Sequence, residues 1–334
     1  MYFLLGLSIL LAALLLFNSL ASSLASLVWR VAGDRARRVL SAANCARLIF
    51  LLRTFPILLG IIGVTFLLAP AYIEHEPRSA PEAVSLKLAL IAIISAIGLA
   101  LAIIRGLATW RATARLKSDW LRHSEPIEVP QVGIPAYRIQ HQFPVIAIIG
   151  VLRPRLFIAE QVFDSLAHEE LMASIEHEAG HVVANDNLRR GLMRACRDVL
   201  VLVPGGRVLD QAWVEATEAA ADEYAAGRGR GVALNLASAL VKIARLIPVG
   251  VKPAMPAGAF LVDVDEVGGV KSRVGRLVHL AEDQRSRNGL TLISRIPLWV
   301  PVALTMLIAA IAANEPHVLA SVHSFIEHSV HLLS

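Results

Sequence analysis

The chain is short of charge, aromatics and cysteine. Of its 334 residues, 18% are Asp, Glu, Lys or Arg, 6% are Phe, Trp or Tyr, and two are Cys. Soluble domains carry about 25% charged residues, so an ordinary cytosolic enzyme is excluded. Cys45 and Cys196 lie far apart with no partnering pattern, which excludes a disulfide scaffold and a Cys-ligated zinc site. Both read as small buried side chains. What fills the composition instead is aliphatic: 56% of residues are hydrophobic and the mean hydropathy is +0.60. Disorder needs the reverse, low hydrophobicity with high net charge. Such a composition belongs in lipid.

A bilayer core takes roughly 20 apolar residues per helix, and four windows qualify: about Tyr2 to Val28, Phe55 to Tyr72, Leu88 to Ile104 and Ile296 to Ala313. A cleaved signal peptide needs basic residues before its apolar run. Nothing charged precedes Tyr2, so the first window is expected to be a span. The net charge of +5 then reports topology, not nucleic-acid binding. Arg30, Arg35, Arg37, Arg38, Arg47 and Arg53 follow the first span against Asp34 alone. Arg105, Arg111, Arg115 and Lys117 follow the third. The second loop sets Arg78 against Glu74, Glu76 and Glu82, and no Lys or Arg lies beyond Asn314. Positive-inside reasoning puts both termini outside and the stretch between the third and fourth spans in the cytoplasm of an inner-membrane protein.

That stretch has ordinary polarity and one domain's length. Arg105 to Arg122 reads as a helical extension. Prolines then break Glu125 to Glu160 into short runs, of which Val145–Ile149 and Leu156–Ala159 read as strands around a turn at Gly150–Pro154. A helical pattern is expected from near Gln161 to about Arg194, and a further helix from about Val208 to Ala226, after Pro204-Gly205-Gly206.

The first of those helices holds His177-Glu178-Ala179-Gly180-His181. Residues four apart share a helical face, so both imidazoles reach one zinc ion, and Glu178 points near the metal's open position as general base. By contrast, His168-Glu169-Glu170-Leu171-Met172 lacks a second histidine and reads as helix surface. A catalytic zinc needs a third protein ligand. Glu215, Glu218 and Asp222 share one face of the later helix. Taking Glu218 as ligand leaves Asp222 one turn on, where it accepts the free ring N–H of a ligating histidine. Glu215 and Glu223 read as a solvated face. Asp186 is expected to stand behind the metal ligands as Asp222 does, or to brace its helix or pair with Arg189 or Arg190.

His-Glu-x-x-His with Asp186 five residues later, Glu218-x-x-x-Asp222, and Gly150-Val-Leu-Arg-Pro-Arg-Leu-Phe157 together resemble the BlaR/MecR-type integral-membrane metallopeptidases, the antirepressor proteases of β-lactam sensing. The resemblance covers roughly residues 1–315, its specific motifs about 150–222. It implies zinc held by His177, His181 and Glu218, Glu178 as general base, a protein or peptide substrate, and a transcriptional repressor as one such substrate. The sensing members carry a penicillin-binding domain after the fourth span. Here the tail after Ala313 lacks Ser-x-x-Lys, so direct β-lactam sensing is not expected. The CAAX-prenyl-protease and HtpX-type family shares the ligand pattern and is the nearest rival, but no Asn-Ala-Phe-like strand precedes the motif here.

The expected fold is therefore mainly α: a polytopic membrane protein with about four spans and a cytoplasmic α+β, gluzincin-like zinc metallopeptidase domain. Its divisions are 1–106 (three spans), 107–292 (zinc domain) and 293–334 (fourth span and external tail). As expectations, the strand Val145–Ile149 or Leu156–Ala159 forms an open edge that receives extended substrate. Arg276 and His279 are weak candidates for stabilising an oxyanion. The tail holds His317, His323, His328 and His331, but its apolar residues recur at helical spacing, so an amphipathic helix on the membrane surface is expected. A scaffold that keeps the fold without activity, and a zinc transporter, are the non-proteolytic alternatives.

Overall fold

A computed structural model describes residues 2–77, 84–130, 132–199, 206–229, 231–246, 267–282 and 299–333. It is mainly helical. Among the described residues, three apolar helical stretches are long enough to cross a membrane. The first is α1 (Tyr2–Val39). The second joins α2 (Ala42–Gly63), a π-helical turn at Val64–Leu68 and α3 (Ala69–His75). The third is α4 (Leu86–Arg122). At 1.5 Å per residue a 38-residue helix runs about 57 Å against a hydrocarbon core of about 30 Å, so each helix projects well beyond the lipid. The second begins at Ala42, earlier than its apolar run, because the Ser41 hydroxyl accepts the Asn44 N–H and starts the helix there. The six arginines after the first window therefore lie on helices, four in the last part of α1 and two within α2, not in a loop. Likewise α4 passes through residue 106 without a break, so the expected boundary there falls inside one helix.

The fourth window is described from residue 299 onward. Helix α11 (Trp299–Ala312) bends by 93° into α12 (Pro316–Leu333), and the two make a span only if taken together. The apolar stripe of α12 does not simply face lipid: Leu319 and Ile326 are buried with Ala71, Tyr72, Leu88, Leu5 and Ile9.

Beyond α4 lies a four-stranded sheet, β1 (Ser124–Ile127), β2 (Ala136–Ile139), β3 (Ile146–Ile149) and β4 (Arg155–Ala159), in the order β1-β2-β4-β3. Only the β2–β4 pair is parallel. β4 lies inside the sheet, so it is excluded as the substrate edge; β3 is an edge. Leu156, Phe157, Ile158 and Ala159 are fully buried. They share a core with Ile175 and Ala179 of α6 (His168–Ala184) and Leu236, Leu240 and Ile243 of α9 (Val232–Leu246). Burying each such side chain contributes about 1.5–3 kcal/mol.

The long helix expected over Gln161–Arg194 is three: α5 (Glu160–Ser165), α6 and α7 (Asp186–Val199). Asn185 breaks the last two apart in the left-handed conformation, φ 55° and ψ 39°, which Asn tolerates better than most residues. At the start of α6, Glu170 turns inward: it accepts from the Ala167 N–H (2.8 Å), Ser238 (2.6 Å) and Lys242 (2.7 Å) and is 6% exposed. Glu170 is therefore not helix surface, while its neighbours His168 and Glu169 are exposed.

α8 (Gly206–Ala226) joins the polar domain to the spans. Its Leu209, Ala212, Trp213 and Ala216 pack with Ala25, Trp29, Ile49 and Phe50 of α1 and α2. Arg53, buried in α2, pairs with Asp210 at 3.1 Å. Glu223 accepts the Ala42 N–H at 3.3 Å and so caps the start of α2, where a negative charge is favoured; it is not part of a solvated face. Glu215 does sit in solvent, beside Arg37. Pro204 and Gly205 lie outside the described residues. α10 (Val267–Glu282) closes the other side of α8 and α9.

Candidate metal centre

Two helices build the site. On α6, one turn separates His177 from His181, and their Nε2 atoms lie 3.3 Å apart. α8 crosses α6 closely at Gly180, where a Cβ would stand 3.1 Å from Ala221 Cα and 3.2 Å from Tyr224 Cβ. That approach sets Glu218, three residues before Ala221, over both imidazoles. Its Oε2 is 3.5 Å from His177 Nε2 and its Oε1 3.6 Å from His181 Nε2. These are one of two clusters of potential metal ligands among the described residues.

Each imidazole is backed by a carboxylate. Asp186 Oδ2 lies 2.8 Å from His181 Nδ1, because the left-handed turn at Asn185 folds the first residue of α7 back onto α6. Asp186 Oδ1 is 3.9 Å from Arg189, so the aspartate serves the histidine first. Asp222 Oδ1 lies 3.0 Å from His177 Nδ1, but off the line of a good hydrogen bond. With their Nδ1 atoms facing carboxylates, both rings turn an Nε2 lone pair toward the other and toward Glu218. Two lone pairs and a carboxylate facing one another call for positive charge among them, from a metal ion, a ring proton or a neighbouring guanidinium.

The spacing suits a metal. Donors about 2.0–2.1 Å from a tetrahedral zinc stand about 3.3–3.4 Å apart, against the 3.3, 3.5 and 3.6 Å found here. Two neutral imidazoles and one carboxylate are also a donor set that zinc takes when it keeps one position open. His177, His181 and Glu218 thus fit the ion.

Arg273 of α10 was not legible in the sequence. Its guanidinium is 2.8 Å from Asp222 Oδ1, 3.1 Å from Glu218 and 3.4 Å from His177 Nε2. Arg276 pairs with Asp222 Oδ2 at 2.6 Å, and His279 is exposed. No spacing rule links α10 to the motif, because Arg273 arrives through the tertiary fold.

The electrostatics follow. Burial disfavours charge on His177, but Asp222 and Glu218 outweigh it and raise the imidazole to about 9. Without metal this ring therefore holds a proton, which metal binding displaces. Burial also resists charge on Glu218 and Asp222, yet Arg273 and His177 hold both carboxyls well below the usual carboxylate range. Burial pushes the Glu178 carboxyl up, against the pull of His181 and His177.

No protein-family model matches the chain, and a search of curated proteins finds no match.

Proposed function

We propose that the chain is an integral-membrane zinc metalloendopeptidase that hydrolyses a peptide bond of a protein substrate at the cytoplasmic membrane face. The observation that supports this best is the triangle of His177 Nε2, His181 Nε2 and a Glu218 carboxylate, with Glu178 buried between the histidines in sequence. Zinc held by His177, His181 and Glu218 would lower the pKa of a bound water to about 7 and polarise a carbonyl.

The chain's own residues do the rest. Glu178 takes a proton from the attacking water and returns it to the departing amine. Its raised pKa brings it nearer the working pH, as general-base catalysis favours. Asp186 and Asp222 fix the ring orientations of His181 and His177. Arg273 sets a cation at the edge of the donor triangle, where it opposes negative charge growing on the substrate carbonyl oxygen. Because α8 shares a core with α1 and α2, the site is fixed to the membrane helices, and a substrate must approach the bilayer. Regulated proteolysis in signalling, with a repressor among its substrates, and membrane quality control of the HtpX kind both suit that placement.

A second reading rests on Arg273. Its contacts with Asp222 and Glu218 make a buried ion network that holds α8 to α10 without metal or catalysis. Glu178→Gln separates the two. As a peptidase, the purified full chain retains its zinc in this variant and loses hydrolysis by about 10²–10⁴-fold. Loss of zinc in His177→Ala completes the pattern. A wild-type protein that takes up no zinc at this site sinks the peptidase. Comparing proteomes of cells that express the intact chain and Glu178→Gln then reveals the substrate as a fragment formed only by the former.

A further inference from the structure

A second cluster of metal-type ligands stands at the opposite end of the second membrane-spanning stretch from α8, and it plays no part in the peptidase reading. Glu76 ends α3 as its C-cap residue. His323 and Glu327 lie four apart on α12, one turn of helix. His323 Nε2 is 3.4 Å from Glu327 Oε1 and 4.0 Å from Glu76 Oε2, and all three ligand atoms fall within 4.8 Å of one another. The side chains of Glu76 and His323 are 8% and 13% exposed.

Around them the protein is apolar. Ala71, Tyr72, Leu319 and Ile326 are buried in one cluster, and the His75 ring stacks on His323 with centroids 5.5 Å apart. The Nδ1 atoms of His75 and His323 are both buried with no hydrogen-bond partner among the described residues. That is unusual, since buried polar side-chain atoms are nearly always paired.

We propose that Glu76, His323 and Glu327 bind a divalent transition-metal ion of the zinc type, which ties α12 to the end of the second span. One imidazole and two carboxylates are borderline-to-hard donors that suit Zn²⁺. The present spacing is slightly wider than a bound ion needs, and Glu327, 66% exposed, is free to close it. The ligands come from two segments about 250 residues apart in sequence, so binding would act as a cross-link in the manner of a structural metal. The tail's helical periodicity accounts for the docking of Leu319 and Ile326 but not for a carboxylate of α3 beside His323. Metal bound here would also fix the far end of the helical stretch whose Ala42 end is capped by Glu223 of α8.

The test counts zinc in the purified full chain after equilibration with Zn²⁺ and removal of free metal. In a His177→Ala, His181→Ala background, about one zinc ion per chain remains, and adding Glu327→Ala or His323→Ala removes it. Zn²⁺ raises the Tm of that background but not of the Glu327→Ala form. Glu327 is exposed, so its loss does not threaten folding. Should the double-alanine background fail to fold, the wild type serves instead: Glu327→Ala lowers its zinc content by about one ion per chain. A zinc content unchanged by both Glu327→Ala and His323→Ala overturns the proposal, as does a folded background that retains no zinc. The wild type's zinc at His177 and His181 is counted separately, so neither reading depends on the other.

Discussion

Asn187 donates from one amide nitrogen to the carbonyl of Ile148 at 3.0 Å, and reaches Gly150 O at 3.1 Å. In the antiparallel β3–β4 pair, Val145 O receives Ala159 N–H, so alternate residues 146, 148 and 150 face away from β4. Asn187 thus occupies two carbonyls on the free edge of β3, leaving less of it for an incoming strand than the sequence suggested. Its chain neighbour Asp186 holds His181, so one dipeptide ties the sheet edge to the candidate metal centre. In Asn187→Ala, two carbonyls lose their partner at a part-buried site, costing about 1–2 kcal/mol. Amide hydrogen exchange of Ala147 and Ile149, whose N–H groups face β4, should quicken while the β2–β4 amides stay protected. Unchanged exchange at β3 would show that the clamp is not formed in solution.

Asp222 bears on His177 differently. The carboxylate is 3.0 Å from Nδ1, but it also takes Arg273 and Arg276. Removing it frees the ring and leaves two cations near the metal site. Asp222→Ala is expected to weaken zinc binding about 10–100-fold, the usual loss when such a backing group goes. Asp222→Asn keeps an acceptor oxygen and should lose less. Competition with a chromophoric chelator measures both, and equal affinities in the two variants would contradict this role.

The sequence made the three long apolar helices, the β3–β4 hairpin and the α8 boundary legible, because each rests on local pattern: hydropathy, proline spacing, or glycine after a helix. His177, His181 and Glu218 were candidates for the same reason, and the structure brings them together. Two features were hidden. The break at Asn185 is a single left-handed residue inside an unbroken helical periodicity, and only that break brings Asp186 to His181. Arg273 lies 51 positions beyond Asp222, a separation at which no periodicity speaks. Glu170 and Glu223 were misjudged as surface because their partners, Lys242, Ser238 and the Ala42 N–H, lie on other helices.

Gly180 is a site of close approach between the helix of the histidines and that of Glu218. Two effects oppose each other when it becomes alanine. Replacing Gly within a helix gains about 0.5–1 kcal/mol, whereas the new Cβ lies 3.1 Å from Ala221 Cα, a backbone atom that cannot swing aside. Gly180→Ala should therefore be close to neutral in Tm yet bind zinc more weakly, since α8 must shift. Gly180→Val adds two methyls to the same gap and is expected to cost about 1–3 kcal/mol. It should also lose stoichiometric zinc. Full metal retention in Gly180→Val would mean that the α6–α8 contact does not position Glu218.

Glu170 anchors the start of the motif helix through the Ala167 N–H, Ser238 and Lys242. Burial alone would raise its carboxyl pKa, but Lys242, Ser238 and the Ala167 N–H prevail and lower it below the ordinary 4.5. A carboxyl with a depressed folded-state pKa adds stability that is present above about pH 4.5 and disappears as pH falls through the folded value. Glu170→Gln should therefore destabilise the protein by about 1–3 kcal/mol at pH 7. The gap between variant and wild type should narrow as the pH drops below about 4.5. Glu169→Gln, on the exposed neighbour, should stay within about 0.5 kcal/mol at either pH. Thermal unfolding in detergent from pH 7 down to about pH 3, through the range in which carboxyls titrate, reads all three proteins. A constant Glu170→Gln deficit over that range would assign the loss to shape, with the Lys242 ion pair contributing nothing.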